Sequence, residues 1–273
     1  MIDNPRSPRV RAVAKLAKRD ARSETGLFLL EGPQAVAEAL SFRPELVVEL
    51  FATPTAADRY GDITRAADDA GIEVEFVTEQ VLASMADTVT PQGIAAVCRQ
   101  FPTSIKDILR DGTDGEAPRL IAILEEVRDP GNAGTIVRAA DAAGADGVIF
   151  TGRSVDLYNP KVVRASTGSI FHVPVAVGID LEVALQRARL AGLQILAADV
   201  KGDDLLQARE DGTLAKPTAW LFGNEARGLL DEQLDQVDRV LTVPIYGRAE
   251  SMNLATAASV CLYESAFSQR AQG

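Results

Sequence analysis

The sequence predicts an α/β protein of two domains, and three observations carry that expectation. Strand-like apolar runs alternate with helix-like stretches along most of the chain. A segment rich in turn formers and acids, Asp111-Gly-Thr-Asp-Gly-Glu-Ala-Pro118, interrupts the alternation. Beyond it the strands are continuously apolar, the pattern of a parallel sheet covered on both faces. The expected boundaries are a first domain over 1–101, a linker over 102–117 and a second domain over 118–273. A chain of 273 residues can form two separate cores.

The elements follow in order. Residues 8–22 read as a basic helix with Val10, Val13, Leu16 and Ala17 at helical spacing. Gly26–Gly32 reads as a short strand ending in a turn, and 33–40 as a helix. Further strands are expected at 46–51, 74–77 and 93–97, separated by helices at about 55–70 and 79–85. A short helical stretch at 104–109 precedes the linker. In the second domain the expected strands are 120–124, 147–150, 193–198, 219–222 and 240–244. Helices at about 132–143, 160–168, 181–191, 203–208 and 251–268 lie between and after them. Ligands of such a sheet sit outside the carboxyl ends of its strands.

Composition narrows the function. With 47% hydrophobic and 25% charged residues the chain has the make-up of a soluble globular protein. No apolar run reaches the roughly 18 residues that span a bilayer, and no signal peptide is evident, so a cytoplasmic location and no membrane partner are expected. Cys98 and Cys261 are far apart and read as reduced, partly buried thiols. A net charge of −11 argues against a nonspecific nucleic-acid binder. Residues 1–25 nevertheless carry a local net of +4, with Arg9, Arg11, Lys15 and Lys18 among the cations. An RNA contact there competes with the plainer reading of a solvated helix face. His172, between Phe171 and Val173, reads as a packed strand residue. As the single histidine it offers little to a hydrolase, and no Gly-x-Ser-x-Gly elbow, Walker loop, dinucleotide glycine pattern or zinc cluster is present. No metal is expected.

Four segments carry polar groups at the ends of apolar elements. Asp129–Arg138 makes a turn with Gly131 and Asn132 and opens a helix, an arrangement suited to anions. Arg138 lies two turns in, and a surface pairing with Asp141 or Glu125 is its simplest explanation. Leu221–Leu229 runs from a strand into Gly223-Asn224-Glu225, where glycine lets a ligand approach the backbone. Glu225 could cap a short helix at 226–230. Val243–Ala255 runs from a strand into a loop with Ser251 and Asn253, and Ser251 reads as the cap of the last helix. In Asn159–Gly168, Lys161 and Arg164 share one helix face, with phosphate contact and simple solvation both open.

Taken in order, the segments 129–138, 221–229 and 243–255 resemble the three motifs of the SpoU (TrmH-type) RNA ribose methyltransferases of the SPOUT superfamily. The start at Ser7-Pro8 and Phe28-Leu-Leu-Glu-Gly32 resemble the small L7Ae-like substrate-binding domain that precedes many SpoU catalytic domains. The resemblance implies a deep trefoil knot in the second domain and a homodimer formed through that domain, with active sites drawing on both subunits. It implies transfer of a methyl group from S-adenosylmethionine to a ribose 2′-hydroxyl of structured RNA, with 23S ribosomal RNA favoured. A transfer-RNA methyltransferase, a noncatalytic RNA-binding protein on the same fold, and a Rossmann-like enzyme acting on a small nucleotide are the competing readings. By motif alignment, Arg138, Asn132, Glu225, Ser251 and Asn253 form the active site. Gly223, Val243, Ile245 and Met252 (where leucine is usual) contact the cofactor, and Arg164 with Lys161 contacts RNA.

Overall fold

A computed structural model of the chain describes residues 1–110 and 117–271. Of the expected linker at 102–117, residues 111–116 lie outside the described residues. In chain order the elements are α1 (Pro8–Lys15), α2 (Arg19–Thr25), β1 (Leu27–Glu31), α3 (Pro33–Phe42), β2 (Val47–Ala52), α4 (Pro54–Arg59), α5 (Gly61–Asp69), β3 (Val74–Phe76), α6 (Glu79–Met85) and β4 (Ile94–Arg99). They continue with α7 (Ile105–Ile108), β5 (Leu120–Glu125), α8 (Pro130–Ala143), β6 (Gly147–Thr151), α9 (Pro160–Ser166), β7 (Val175–Ile179) and α10 (Leu181–Leu190). The last are β8 (Gln194–Asp204), α11 (Leu205–Glu210), β9 (Thr218–Phe222), α12 (Asp231–Leu234), β10 (Arg239–Thr242) and α13 (Leu254–Arg270). Two compact units result: Met1–Phe101 with Asp156–His172, and Pro102–Val155 with Val173–Gly273.

The first unit is built on a four-stranded sheet in the order β1-β4-β2-β3. Strand β4 pairs antiparallel with both β1 and β2, and β2 pairs parallel with β3. Val10, Val13 and Leu16 of the N-terminal segment pack with Val81, Leu82 and Met85 of α6 over the sheet residues Leu29, Phe51 and Val97. The helix expected over 8–22 is two helices, broken at 16–18. The cause is Arg22, only 2% exposed, whose Nη1 donates to the carbonyls of Leu16 (2.8 Å) and Ala17 (2.9 Å). Those carbonyls end α1 and need partners once helical bonding stops. The other face of the guanidinium meets Asp156 Oδ2 at 2.6 Å, which ties the 156–172 segment into this unit. The stretch expected as one helix over 55–70 is likewise divided, at Tyr60.

The second unit holds a six-stranded sheet in the order β10-β8-β9-β5-β6-β7, with every pairing parallel. The continuously apolar strands are buried as expected, β5, β6 and β9 along their full lengths. One face packs against α7 and α10 through Ile108, Leu185 and Ala188, meeting Ile123, Ile149 and Leu221. Helix α13 packs on α8 and over β9, and the buried Trp220 Nε1 donates to Ser265 Oγ of α13 at 2.9 Å. That bond satisfies the indole N–H of a fully buried side chain.

Several details differ from the sequence expectation. Strand β7 was not anticipated; it is an edge strand with Gly178 in the left-handed region (φ +68°) and a register shift against β6. A glycine and a bulge both blur strand periodicity. His172 is not a strand residue but sits in a turn after a short 3-10 helix at 169–171, its Nε2 3.0 Å from Glu38 Oε2. The last helix begins at Leu254 and is capped by Asn253, whose Oδ1 accepts from Thr256 N at 3.2 Å, not by Ser251. No helix forms at 226–230; residues 224–228 make a closed turn in which Gly228 N donates to Asn224 O at 2.8 Å. Among the described residues, no helix is long and apolar enough to cross a membrane.

Candidate functional site

The strand order reverses at the β5/β9 pair: the chain moves outward through β6 and β7, then returns to the other side of β5 with β8, β9 and β10. Loops leaving the carboxyl ends of strands at such a reversal diverge and leave a crevice. Here those loops are 126–129 after β5 and 223–229 after β9, and hydrogen bonds lock them together. Glu225 Oε1 accepts from Asp129 N at 3.0 Å, and Oε2 from Arg128 N at 3.2 Å. Asn224 Nδ2 donates to the carbonyl of Glu126 at 2.8 Å. Glu126 has φ +49°, a conformation few residues with a Cβ adopt, and its carboxylate pairs with Arg128 (3.1 Å) and Arg227 (2.8 Å). The local cost of that backbone is offset by these fixed contacts.

Three of the sequence-selected polar residues form a chain. Asn253 Nδ2 donates to Asn132 Oδ1 at 2.9 Å, and Asn132 Nδ2 reaches Glu225 Oε1 at 3.5 Å. Asn132 is placed by the first turn of α8, where Asp129 Oδ1 accepts from Asn132 N at 2.7 Å and Pro130 occupies the first helical position. The three motifs, separated by some 120 residues of chain, therefore converge on one carboxylate.

Beside this chain lies a cavity of about 360 Å³ at the carboxyl ends of β8, β9 and β10. Gly223, Val243, Ile245 and Met252 all line it, with Ser251 and Glu225. That volume falls in the range of small-molecule sites. A Cβ on Gly223 would come within 2.7 Å of the Gly228 backbone carbon, so this wall has no room for a side chain. The lining mixes small residues (Ala198, Gly223, Ala226, Gly228, Ser251) with the apolar Val243, Ile245 and Met252, which leaves room for main-chain contacts and gives a flat ring an apolar wall. The residues fit an adenosyl group in that sense.

Arg138 sits farther along α8. It lies six residues beyond Asn132, about 9 Å along the helix axis and on a different face. It is exposed, and it continues the stripe of Gly131 and Thr135 at helical spacing. Gly131 and Thr135 line a shallow recess of about 490 Å³ between α8 and α13, together with Asn132, Asn253, Thr256 and Ser259. Glu125, one partner considered for Arg138 from sequence, is buried and bonds Thr151 Oγ1 (2.5 Å) and Gln233 Nε2 (3.0 Å).

The basic residues of the first unit are unequally available. Arg9 pairs with Glu49 (2.6 Å) and Glu75 (3.0 Å), which raise its pKa, and it stacks over Phe51. Arg11 Nε donates to the Arg6 carbonyl at 2.8 Å. Lys15, Lys18 and Lys161 are exposed. Arg164 is held between Glu31 Oε1 (3.0 Å) and Asp87 Oδ2 (2.9 Å) and is only partly exposed. Cys98 and Cys261 are free and fully buried, and burial pushes both thiols up to about 12.

Sequence reading missed one wall of the cavity. Strand β8 was expected to end at 198 but runs to Asp204, and its register against β10 jumps from Val240↔Ala197 to Leu241↔Asp203. The displaced residues Asp199, Val200 and Lys201 line the cavity. Gly202 permits the jump, since a Cβ there would lie 2.6 Å from the β10 backbone. The glycine within Val200–Asp203 was the available signal, because an isolated glycine in a strand often marks a bulge.

Comparison with known proteins finds relatives along nearly the whole chain. Residues 119–263 match the SpoU rRNA Methylase family, and residues 29–104 match the RNA 2′-O ribose methyltransferase substrate binding family. The chain is 31% identical over 264 residues to the 23S rRNA (guanosine(2553)-2′-O)-methyltransferase RlmP of Bacillus subtilis, covering 96% of this chain and 97% of that protein. The AdoMet-bound rRNA methyltransferase from Sinorhizobium meliloti superposes with a TM-score of 0.81 at 30% identity, covering 97% and 96% of the two chains. The SpoU methyltransferase AviRb from Streptomyces viridochromogenes, in complex with AdoMet, superposes with a TM-score of 0.82 at 27% identity, covering 98% and 100%.

Proposed function

The chain belongs to the SpoU rRNA methylase family, and from that premise we propose that it methylates a ribose 2′-hydroxyl of 23S ribosomal RNA. It is an S-adenosylmethionine-dependent RNA 2′-O-methyltransferase. The observation that carries this reading is the cavity at the ends of β8, β9 and β10, one of whose lining residues, Glu225, is bonded to Asn132 and through it to Asn253. Gly223, Val243, Ile245 and Met252 would hold S-adenosylmethionine there, and it would supply a methyl group on a positively charged sulfur for transfer to the ribose oxygen. Glu225 fixes the 126–129 and 223–229 loops and contributes negative potential beside that charge. Asn132, Asn253 and Ser251 orient the incoming ribose. Much of the acceleration then comes from alignment, an effect worth up to ~7–11 kcal/mol in well-oriented systems.

Arg138 acts as a charged clamp on the phosphate next to the target ribose and stabilises the developing alkoxide, since a guanidinium stays protonated. The proton leaves to water or an RNA phosphate oxygen. Its distance from the Asn132–Glu225 chain supports a site completed by a second copy of the protein, docked on the α8/α13 recess. In this reading residues 118–273 form the catalytic domain, tied in a trefoil knot through the 243–253 segment, and the enzyme is a cytoplasmic homodimer. Residues 1–101 form an L7Ae-like RNA-binding domain in which the exposed Lys15 and Lys18, with Arg9 and Arg11, contribute positive potential, joined by Lys161 and Arg164 of the 156–172 segment in the same unit. Incubation of the protein with methyl-labelled S-adenosylmethionine and either 23S ribosomal or bulk transfer RNA tests the function. Label in a ribose of 23S RNA is expected; label confined to transfer RNA, or none, refutes it. Light scattering that returns a monomer refutes the shared site.

A further inference from the structure

We propose that the first unit contains a pocket for one unstacked guanine base of the substrate RNA, read by the carboxylate of Glu31. This rests on the RNA-methyltransferase reading above and names what its first unit recognises. The pocket is a cavity of about 240 Å³ formed wholly by first-unit residues. Its size is below the ~300–1,000 Å³ typical of drug-sized sites, which suits one flat ring system better than a whole nucleotide. Leu82, Ile94 and Ala95 give it an apolar side, and Glu31, Gln92 and Arg164 a polar one. Apart from Arg164, every lining residue falls within the span 29–104 that matches the substrate-binding family.

Glu31 is the group that selects the ligand. Its side chain is 6% exposed and held from two sides: Arg164 Nη1 donates to Oε1 at 3.0 Å and Thr88 N donates to Oε2 at 3.2 Å. Arg164 is fixed in turn by Asp87 at 2.9 Å. Both oxygens accept in these contacts, and two of the roughly four lone-pair directions of a carboxylate remain. A ligand that completes it needs two adjacent N–H donors on one edge. Of the four RNA bases only guanine has such an edge, N1–H beside the N2 amino group; adenine, cytosine and uracil each set a donor next to an acceptor. Sequence-specific RNA readers take unpaired bases by these edges. Arg164 is thus a positioning residue for Glu31 rather than a phosphate contact. Gly32, at φ +94°, lets the chain turn beneath Gln92, whose Oε1 would lie 3.2 Å from any Cβ there.

The test uses the full chain labelled with ¹⁵N and the pentaribonucleotides UUGUU, UUAUU, UUCUU and UUUUU, with shifts of the Thr88, Thr90 and Gln92 amides as the readout. UUGUU is expected to bind roughly 5- to 150-fold more tightly than the others, the range of a good bidentate base contact. Glu31→Gln should cut that preference to about twofold or less. Because Glu31→Gln risks the fold, Thr90→Trp, at an exposed lining position, provides an independent block. It should abolish the guanine preference while S-adenosylmethionine still binds as in the wild type. Equal affinity for all four oligonucleotides, no perturbation of the pocket amides, or a preference unchanged in both variants overturns the proposal. No guanine preference in the wild type, with its methyl transfer to 23S RNA intact, condemns the pocket alone. Guanine preference without any methyl transfer condemns the enzyme reading and upholds the pocket.

Discussion

Replacing Gly223 with alanine tests how tightly the cofactor cavity is built. A Cβ at this position would lie 2.7 Å from Gly228 C, 2.8 Å from Gly228 O and 2.8 Å from Leu229 Cγ. Unstrained carbon contacts need about 3.5–4.0 Å, so the neighbours must retreat by roughly 1 Å. Two of these three atoms are backbone, and the turn that carries them is closed by the Gly228 N to Asn224 O bond and tied to Glu126 through Asn224. Such overpacking costs ~1–3 kcal/mol. If the 224–228 turn absorbs the displacement, the same energy appears as a roughly 5- to 150-fold rise in the Kd for S-adenosylmethionine. Isothermal titration calorimetry of wild type and variant, with a thermal melt of each, separates loss of affinity from loss of fold. A Kd within about twofold of wild type together with a Tm within about a degree would refute the reasoning, because the wall would then be yielding.

Other consequences can be measured on the same protein. Arg138→Ala should abolish methyl transfer while leaving S-adenosylmethionine affinity unchanged; near-normal turnover in that variant would remove Arg138 from the mechanism. Asn253→Ala removes the α13 cap and the bond to Asn132, and should cost ~1 kcal/mol of stability by urea titration together with a clear loss of turnover. Arg22→Ala leaves Asp156 and the Leu16 and Ala17 carbonyls without a partner from this side chain, and should destabilise by ~3–5 kcal/mol; a Tm within about two degrees of wild type would contradict it. The buried thiols set an alkaline limit. Both are held neutral, with folded-state values of about 12 against 9.0 for an ordinary thiol. Their contribution is therefore complete below pH 9 and declines as pH rises towards 12. Urea midpoints at about pH 8 and about pH 10 should fall less in a Cys98→Ala/Cys261→Ala variant than in the wild type.

How legible the molecule is in its sequence depends on how local each signal is. The strands β5, β6 and β9 are plain because burial on both faces makes them continuously apolar. The N-terminus of α8 is plain because Asp129, Pro130 and Gly131 supply cap, first residue and turn in adjacent positions. Strand β7 is obscured by Gly178, and the bulge of β8 by its continuation into an apparent helix, so periodicity fails at both. The break in α1 is invisible locally, since it depends on a buried Arg22 whose partner Asp156 lies 134 residues away. Gly223, Val243, Ile245 and Met252 were selected through their motifs, and tertiary structure gathers them around one cavity.

The sequence alone determined the α/β class, the parallel character of the second sheet and the family, because apolar periodicity and ordered motifs are written in neighbouring residues. Only the tertiary structure decided which charged groups are committed to one another. It set Arg164 between Glu31 and Asp87, buried Arg22 against Asp156, and strung Asn253, Asn132 and Glu225 together. The reason is physical: a hydrogen bond or ion pair depends on separations of about 3 Å in space, and chain order does not encode those until the sheet has brought its loops together.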